Sequence, residues 1–366
     1  MSRTPPTPRV FEVRDEPPTV EVVDAARRTL EAGGLVVLPT ETVYGVAARA
    51  DREAPLAALR AASRRTSAQP FTWHVGDPAA LDELAPVSPF VRRIVAKYWP
   101  GPLTLIVPGN GRHPLLEAGG WIGVRCVAHR ATAGLLGALP FPVAVTSCDV
   151  QDGEFARDAA SAVRALANAP ALVLDGGPAR LGEPSSVARV GRGELTLLRE
   201  GLIDLRQLRQ AGGLRLAFVC TGNTCRSPMA EGLARLVLAE RLGCAPSALE
   251  DFGFVVRSMG VQAAVGEPAS KHAVSVLADR GYDLGGHRSR AVQGEDLERF
   301  DRLYCMTQSH LDALLAWLPA NRAGTAMLLD PEGRNVSDPI GGPREAYRRT
   351  AEQIRAALER RAVEWA

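Results

Sequence analysis

The feature that most constrains this chain is segment 214–232, in which an apolar run ends in a cysteine and an arginine follows six residues later. Leu216–Val219 predicts a buried strand ending at Cys220, and Ser227-Pro228 after Arg226 suit the first turn of a helix. A strand, a tight loop and a helix in this order surround an anion with backbone N–H groups. The guanidinium can bind two phosphate oxygens at once, and the same positive field favours the nucleophilic thiolate. The segment therefore predicts phosphate chemistry at a cysteine, rather than a cysteine that only fills the core.

Bulk composition limits the classes of protein to which this chain can belong. Its 366 residues are too many for one ordinary core and predict two domains. The net charge of +2 makes no case for a coat on nucleic acid or on an anionic membrane. Six cysteines are scattered without metal-ligand spacing, which is typical of reduced thiols in the cytoplasm. No apolar run approaches the roughly 20 residues of a transmembrane helix, so we expect a cytoplasmic protein with no membrane partner.

Composition and periodicity divide the chain into four parts. Residues 1–14 form a proline-rich, mobile tail, and residues 15–205 form a first domain of the α+β or α/β class. Residues 206–213 form a short linker, and residues 214–366 form a second domain. The helices predicted in the first domain cover 20–32, 53–64, 86–98 and 156–168, and its predicted strands cover 35–38, 71–75, 103–107, 122–127, 143–147, 171–175 and 194–199.

The second domain alternates strands and helices, with the cysteine at the carboxyl end of its first strand. This is the pattern of a doubly wound parallel sheet, whose ligands bind at the carboxyl ends of the strands. The predicted elements are strand 214–220, helix 228–242, strand 252–258, helix 268–281, strand 301–306, helix 309–317, strand 326–329 and a helix near 343–363.

An acid is needed to complete the reaction, because a poor leaving group departs from phosphorus only when it is protonated. Asp338 stands in a turn-rich segment, 336–342, just before the last predicted helix. An Asp-Pro pair in a turn is commonly only structural. Together with the cysteine loop, Asp338 becomes the candidate acid.

These motifs resemble the low-molecular-weight protein-tyrosine phosphatase family, whose pattern is Cys-x5-Arg-Ser near the start and Asp-Pro near the end. The resemblance covers residues 214–363 and implies that Cys220 is the nucleophile, that Arg226 binds the phosphoryl oxygens, and that Asp338 is first acid and then base. It implies a phosphoprotein substrate and no cofactor, and it places Asp301 near the loop in a supporting role. The resemblance also implies that Asn223 and Ser227 brace the loop and assist the thiolate. The remaining loop positions are Thr221, Gly222, Thr224 and Cys225.

The second loop cysteine has two interpretations. Many members of the family carry a cysteine at the position of Cys225, where it can form a reversible disulfide with Cys220 and protect the nucleophile from over-oxidation. The alternative is a small side chain that fills the loop. The sequence leaves both open.

Two details bear on the substrate. Members that act on phosphotyrosine often carry aromatic residues after the Asp-Pro, whereas this chain has Ile340-Gly341-Gly342 there. Thr224 replaces the branched aliphatic residue of many tyrosine phosphatases, so the loop resembles the bacterial protein-arginine phosphatase branch. We therefore expect phosphoarginine rather than phosphotyrosine. A thioredoxin-coupled arsenate reductase shares the loop, but it needs two further cysteines, and Cys305 stands alone on a predicted buried strand.

The first domain resembles the YrdC-like threonylcarbamoyl-AMP synthases over residues 15–205, and the resemblance implies a twisted α/β sheet. It is carried by Leu-Pro-Thr-Glu-Thr-Val-Tyr-Gly at 38–45 and by later Gly-Val-Arg, Val-Thr-Ser, Pro-Ser-Ser and Leu-Arg-Glu-Gly segments. It implies ATP, L-threonine and bicarbonate as substrates, Mg²⁺ as a cofactor, and contact with RNA through the tRNA modification pathway. The matching positions are Thr40, Arg65, His74, Arg125, Thr146, Ser147, Ser185 and Arg199.

This domain departs from the family pattern where charge matters. The lysine of the family's Lys-x-Arg-Pro pattern is Ser63 here, although Arg64 or Arg60 could supply a charge. The family's Ser-Ala-Asn ends in Asp149, which repels phosphate unless it holds a magnesium ion. Either the domain is a working synthase with a rearranged basic cluster, or it only binds a nucleotide or RNA, or it supports its neighbour. We expect loss of synthase activity.

Overall fold

A computed structural model describes residues 8–63, 70–83, 87–149, 154–166, 170–191 and 193–366. The chain divides into two units, of which the first comprises Met1–Val87 and Val91–Leu208 and the second comprises Ser88–Phe90 and Arg209–Ala366. In the described ranges, no helix is both long enough and apolar enough to cross a membrane.

The first unit is built on one mixed sheet. Its strands are β1 (Arg9–Glu12), β2 (Val36–Leu38), β3 (Gly45–Arg49), β4 (Thr72–Val75), β5 (Leu103–Pro108), β6 (Glu117–Ala118), β7 (Trp121–Cys126), β8 (Val143–Ser147), β9 (Leu172–Asp175), β10 (Ser186–Gly191) and β11 (Glu194–Arg199). They lie in the order β1-β9-β2-β3-β8-β4-β7-β5-β10-β11, with β6 beside β7. Parallel and antiparallel pairs alternate irregularly, so strands distant in sequence bring their ends together in the middle of the sheet.

Helices cover this sheet. They are α1 (Val20–Glu31), α2 (Glu53–Ala62), α3 (Pro89–Tyr98), α4 (Arg130–Ala138) and α5 (Ala159–Ala165), and the boundary between the two units falls inside a further helix, α6 (Leu205–Gly212). Helix α1 begins after Thr19, whose side chain accepts the N–H of Val22, and it buries one apolar face against β2 and β9. Its buried residues Val22, Ala26 and Leu30 join the apolar core of the unit. The helical spacing of these residues is the reason for the helix.

The structure corrects two predicted boundaries. Residues 9–12, assigned to a mobile tail, form β1, which pairs in parallel with β9, because the edge of β9 offers backbone partners that the local sequence does not reveal. Residues 206–213, assigned to a linker, lie mostly in α6. Asp204 and Gln207 exchange side-chain-to-backbone hydrogen bonds of 2.7 and 2.9 Å, a capping box that starts this helix. Residues 1–7 of the predicted tail lie outside the described residues.

The second unit has a four-stranded parallel sheet. Its elements are β12 (Arg215–Cys220), α7 (Arg226–Leu242), β13 (Val255–Gly260), α8 (Lys271–Ala278), α9 (Gly294–Arg299), β14 (Arg302–Cys305), α10 (Gln308–Trp317), β15 (Ala326–Leu328) and α11 (Arg344–Arg361). The spatial order is β13-β12-β14-β15. The chain therefore moves to one side of β12 and then to the other, which makes a topological switch point at the carboxyl end of β12.

Strand β12 is buried on both faces, as its nearly continuous apolar sequence predicts. Ala217 and Val219 pack with β14, α9 and α10 in one apolar cluster. On the opposite face, Phe218 stacks on Tyr304 and meets Trp365 edge to face. Cys220 ends this strand at the switch point, so the fold alone delivers the thiol to the position where ligands bind.

The predicted α/β class is confirmed for both units, and the predicted helices and strands are present with ends shifted by a few residues. Besides β1 and α6, five elements escaped prediction, namely β3, β6, α4, β10 and α9. Helix α4 contains glycines that weaken its helical pattern, β3 is rich in alanine and glycine, and α9 spans six residues. Each is stabilised by its neighbours rather than by its own sequence.

Candidate active site

The loop after β12 is built around the thiol of Cys220. Its Sγ atom lies 3.0 Å from the hydroxyl oxygen of Ser227 and accepts the backbone N–H of Asn223 at 3.3 Å. Ser227 also accepts a hydrogen bond from the side-chain amide of Asn223 at 2.9 Å, and its Oγ lies 3.2 Å from the carbonyl oxygen of Met259. The sulfur thus has one backbone donor and lies beside a hydroxyl whose single hydrogen can point either to Met259 or to Cys220, and donors at this position stabilise a thiolate.

Asn223 holds the loop in a sharp turn. Its φ of +55° lies in the left-handed region, where asparagine is one of the few side chains tolerated. Its backbone oxygen accepts from His287 Nε2 at 2.7 Å, and its side-chain oxygen accepts the N–H of Arg290 at 2.9 Å. Gly260 makes room for the loop, since a Cβ there would lie 2.3 Å from the carbonyl oxygen of Thr221. The turn is thus fixed by segments distant in sequence.

Arg226 and Asp338, separated by 112 residues, form an ion pair in which Nη2 lies 2.5 Å from Oδ2. The Arg226 side chain is 7 % exposed, whereas that of Asp338 is 42 % exposed. The other carboxylate oxygen accepts the N–H of Ile340 at 3.2 Å. The structure therefore brings the predicted arginine and the predicted acid together, with the acid on the solvent side of the pair.

A histidine that sequence analysis did not single out contacts the loop. His310 Nε2 lies 2.9 Å from Thr221 Oγ1, and His310 Nδ1 lies 2.9 Å from Thr307 Oγ1. Burial and the nearby Arg226 cation together lower the pKa of His310 to about 4, although Asp338 acts in the opposite direction. The imidazole is therefore neutral at neutral pH.

The rest of the loop packs against α8 and α11. The carbonyl oxygen of Thr224 accepts the N–H of Ser270 at 2.9 Å. Cys225 Sγ lies 3.4 Å from the hydroxyl of Tyr347 and 3.7 Å from Thr224 Oγ1. Burial and the Cys225 contact raise the pKa of Tyr347, so it stays a neutral phenol. Cys225 is buried and reduced here, and its disulfide with Cys220 stays a prediction.

Two other predicted residues lie away from the loop. Asp301 accepts the N–H of Arg215 at 2.7 Å, at the start of β12, whereas the loop follows the other end of this strand, about 16 Å away. The expectation that Asp301 lies near the loop is wrong, because β14 runs parallel to β12 and the residue just before β14 therefore lies beside the amino end of β12. Cys305 is fully buried on β14, as expected, and burial raises its pKa to about 12.

The first unit has a small, partly open cavity at the strand ends in the middle of its sheet. Seven of the eight predicted residues line it, namely Thr40, His74, Arg125, Thr146, Ser147, Ser185 and Arg199. The eighth, Arg65, lies outside the described residues, as does Arg64. Ser63 and Arg60 do not line this cavity.

Arg125 is the most buried charge in this cavity. Its Nη2 lies 2.7 Å from Glu41 Oε1 and 2.7 Å from Thr42 Oγ1, and Glu41 also accepts the N–H of Ala128. Two buried polar atoms, Arg125 Nε and Thr146 Oγ1, have no hydrogen-bond partner in the described part of the chain. Buried polar groups normally have partners, so these atoms are available to a ligand.

The opposite wall holds a second arginine. Arg199 donates to the carbonyl oxygen of Ser185 at 3.0 Å and to its hydroxyl at 3.2 Å, and Thr104 Oγ1 lies 3.0 Å from the same hydroxyl. His74 donates from Nδ1 to its neighbouring Thr72 carbonyl, and burial together with Arg125 lowers its pKa to about 3. His74 therefore contributes no charge.

The two departures from the family pattern have structural consequences. Asp149 accepts the hydroxyl hydrogen of Ser147 at 2.8 Å, so a carboxylate lies directly beside a cavity residue. Ser63 donates to the carbonyl of Leu59 at 2.7 Å at the end of α2. Arg60 stacks over the ring of Phe71 at 4.7 Å. Neither Ser63 nor Arg60 supplies the missing cation to the cavity.

Comparison with protein families agrees with this division of the chain. Residues 215–364 match the family described as low molecular weight phosphotyrosine protein phosphatase. Residues 28–201 match the Sua5, YciO and YrdC family, described as telomere recombination. The chain joins a Sua5/YrdC domain to a low-molecular-weight phosphatase domain. Both resemblances drawn from the motifs are confirmed.

Individual relatives match one domain each. A protein-arginine-phosphatase of Geobacillus stearothermophilus is 35% identical over 149 residues, which are 40% of this chain and 92% of the relative. The low molecular weight protein-tyrosine-phosphatase Etp of Escherichia coli is 33% identical over 150 residues, which are 40% of this chain and 89% of that phosphatase. The threonylcarbamoyl-AMP synthase of Pyrococcus abyssi is 29% identical over 208 residues, 56% of this chain and 61% of that synthase, so the chain spans about three fifths of it.

Several residues around both sites of this phosphatase–YrdC fusion escaped sequence analysis. Glu41 stands inside the motif at 38–45 that sequence analysis singled out, so it was within reach. His310, Tyr347 and Arg290 carry no local signal. They reach the phosphatase loop only through tertiary packing.

Proposed function

We propose that the C-terminal domain is a cysteine-dependent protein phosphatase that works through a phosphocysteine intermediate. The observation that carries the proposal is the pair of contacts from Ser227 and Asn223 to the sulfur of Cys220, at the start of a 17-residue helix and beside the Arg226–Asp338 pair. A nucleophile, an anion site and an acid at one loop suffice for phosphoryl transfer.

In the first step, the substrate phosphoryl group displaces Asp338 from Arg226. The guanidinium and the amino end of α7 bind the equatorial oxygens. The Cys220 thiolate attacks phosphorus, the bond from phosphorus to the leaving nitrogen or oxygen breaks, and Asp338 gives its proton to that atom.

In the second step, water attacks the phosphorus of phosphocysteine. Asp338, now a carboxylate, accepts a proton from this water, the sulfur–phosphorus bond breaks, and the Cys220 thiolate is regenerated with release of inorganic phosphate. Ser227 donates its hydroxyl hydrogen to the departing sulfur, which lowers the energy of the thiolate. No cofactor takes part.

Trapping of the intermediate tests this scheme. A single-turnover reaction of the full chain, quenched and digested, should place one phosphate on Cys220 by mass spectrometry. Cys220→Ser should abolish turnover, whereas Cys225→Ser, the matched loop control, should retain it. Turnover by Cys220→Ser would reject the scheme.

We infer that the substrate is phosphoarginine rather than phosphotyrosine. Relatives with either activity are similarly close, so the inference depends on this chain's own loop. Thr224 is half-buried with its hydroxyl near Cys225, and it can donate to or accept from a planar phosphoguanidinium group. The residue after the Asp338-Pro339 pair is Ile340, which is 70 % exposed and offers no ring on which a phenol could stack.

Two variants separate the contributions of size and polarity at this position. Thr224→Val removes the hydroxyl at nearly constant volume, and Thr224→Ile also adds a methylene. Both should lower kcat/KM on a phosphoarginine peptide, and the isoleucine variant should gain on a phosphotyrosine peptide. A wild-type preference for phosphotyrosine would contradict the inference. Arsenate reduction is a weaker alternative, because the buried thiol of Cys305 cannot easily become a thiolate.

We further propose that the N-terminal domain keeps the ligand cavity of its family but does not form threonylcarbamoyl-adenylate. Ser63 and Arg60 supply no cation, and the Asp149 carboxylate beside Ser147 opposes a triphosphate. In the described ranges, no group of three or more His, Cys, Asp or Glu side chains could hold a metal ion. RNA contact and a cytoplasmic location stay predictions.

The full chain incubated with ATP, L-threonine, bicarbonate and Mg²⁺ should release no threonine-dependent pyrophosphate. The variant carrying both Ser63→Lys and Asp149→Asn should gain some turnover, with Asp149→Asn alone as the partial control. Threonine-dependent pyrophosphate release by the wild type would show instead that the domain is a working synthase.

A further inference from the structure

His310 is the histidine of the phosphatase domain with both ring nitrogens engaged by threonine hydroxyls. Nδ1 contacts Thr307, the residue before α10, and Nε2 contacts Thr221, the residue after Cys220, each at 2.9 Å. The side chain is 4 % exposed. It therefore joins the first turn of α10 to the first residue of the phosphate loop.

The two contacts are linked through the neutral ring. A neutral imidazole has one donor and one acceptor nitrogen, so the role of Nδ1 toward Thr307 fixes the role of Nε2 toward Thr221. If Nδ1 accepts from Thr307, Nε2–H donates to Thr221, and the hydroxyl hydrogen of Thr221 is released toward the phosphoryl site. The charged groups that influence the ring are Arg226 and Asp338, the two charged residues of the reaction.

We propose that His310 is a positioning residue of the phosphatase, which holds Thr221 and thereby the loop entrance in the geometry that the phosphoryl transfer requires. This inference rests on the proposed phosphatase activity. His310 contacts no reacting atom and acts through Thr221. Nothing in the loop motif itself indicates this role.

Two amide substitutions test the contact with Thr221 separately from burial. Glutamine places its amide near the position of Nε2 and asparagine places its amide near that of Nδ1, so His310→Gln keeps the contact with Thr221 and His310→Asn keeps that with Thr307. Gln308→Ala on the same helical turn is the control, because the Gln308 side-chain amide donates to Asp312 and, among the described residues, makes no contact with the loop. Thermal unfolding of each variant checks the fold.

Steady-state kinetics on a small aryl phosphate and on a phosphoarginine peptide should separate the two variants. We expect His310→Asn to lower kcat about tenfold with little change in KM, and His310→Gln to stay within about twofold of wild type. The double variant with Thr221→Ala should be no slower than Thr221→Ala alone, because both changes remove one interaction. Equal effects of the two amides, or additive effects with Thr221→Ala, would overturn the proposal.

Binding of inorganic phosphate gives a readout that does not need turnover. By calorimetry, His310→Asn should weaken phosphate binding several-fold while His310→Gln preserves it. If the wild type binds phosphate but hydrolyses no substrate, the proposed function fails, and the two amide variants still decide the role of His310. Identical phosphate affinities in both variants would reject the role.

Discussion

Each domain has one buried arginine paired with a carboxylate at its candidate site, and the two pairs differ in the exposure of the acid. In the YrdC domain, Arg125 and Glu41 are 7 % and 3 % exposed. In the phosphatase domain, Arg226 is equally buried at 7 %, but Asp338 is 42 % exposed. One pair is enclosed, and the other is open to solvent on its acidic side.

This difference separates a structural charge pair from a working one. Opening the enclosed pair leaves two charges without water, which costs several kcal/mol. Opening the other pair returns Asp338 to solvent and leaves Arg226 for an incoming oxyanion at a much smaller cost. An arginine thus serves the reaction only where its resting partner can leave.

The largest expected effect comes from changing the arginine of the open pair. Arg226→Lys keeps the charge but loses the two-pronged donor, so kcat/KM on any phosphorylated substrate should fall about a thousandfold. The matched Arg125→Lys variant should leave phosphatase kinetics unchanged. An Arg226→Lys enzyme within tenfold of wild type would mean that the guanidinium geometry is not used.

Removal of each acid tests the enclosed and open pairs directly. Glu41→Gln leaves a buried, unpaired Arg125 and should destabilise the YrdC domain by about 3–5 kcal/mol. Asp338→Asn should change stability by less than about 1 kcal/mol, while turnover is lost. Denaturant unfolding followed by a probe in each domain measures both effects, because the two domains need not unfold together. Similar stability losses for both variants would remove the distinction.

Substitution of a glycine behind each site should give a smaller difference in stability between the two domains. A Cβ at Gly260 would lie 2.3 Å from the backbone oxygen of Thr221, whereas one at Gly45 would lie 2.7 Å from a side-chain methyl of Val145. Because backbone yields less easily than a methyl group, Gly260→Ala should cost about 1–3 kcal/mol and slow the phosphatase, and Gly45→Ala should cost less. Thermal melts and aryl phosphate turnover test the ranking, which fails if Gly260→Ala is silent.

The effect that is smallest at neutral pH concerns two histidines and emerges only on the acid side of the stability profile. The pKa values of His310, about 4, and His74, about 3, lie below the ordinary value for histidine. The unfolded chain therefore binds protons first as pH falls below about 6.5, so each residue makes stability decrease from there down through its folded pKa. Since paired carboxylates act in the same direction, the measurement is the difference between wild type and His310→Gln. An unchanged slope in the variant would show that His310 does not contribute.

Prediction from sequence succeeded where chemistry is contiguous. The strand, loop and helix around Cys220 follow from an apolar run, a spacing and a proline within 19 residues. Seven dispersed residues of the YrdC domain, which family order rather than local physics linked in the sequence, line one cavity, and their role in binding stays a prediction. The edge strand β1, Asp301 and His310 could not be assigned, since each depends on which distant segment lies beside it.

The local sequence was sufficient to determine that a thiol ends a strand and faces the start of a helix, because propensity and hydrogen bonding within a few residues decide that geometry. Only the tertiary structure decided that Arg226 meets an exposed acid and Arg125 a buried one. The partners lie 112 and 84 residues away in sequence, and the solvent exposure of each carboxylate depends on the packing of its own surroundings. The energy of an ion pair depends on how far water reaches its two charges, and the spacing of the two residues in the sequence does not encode this exposure.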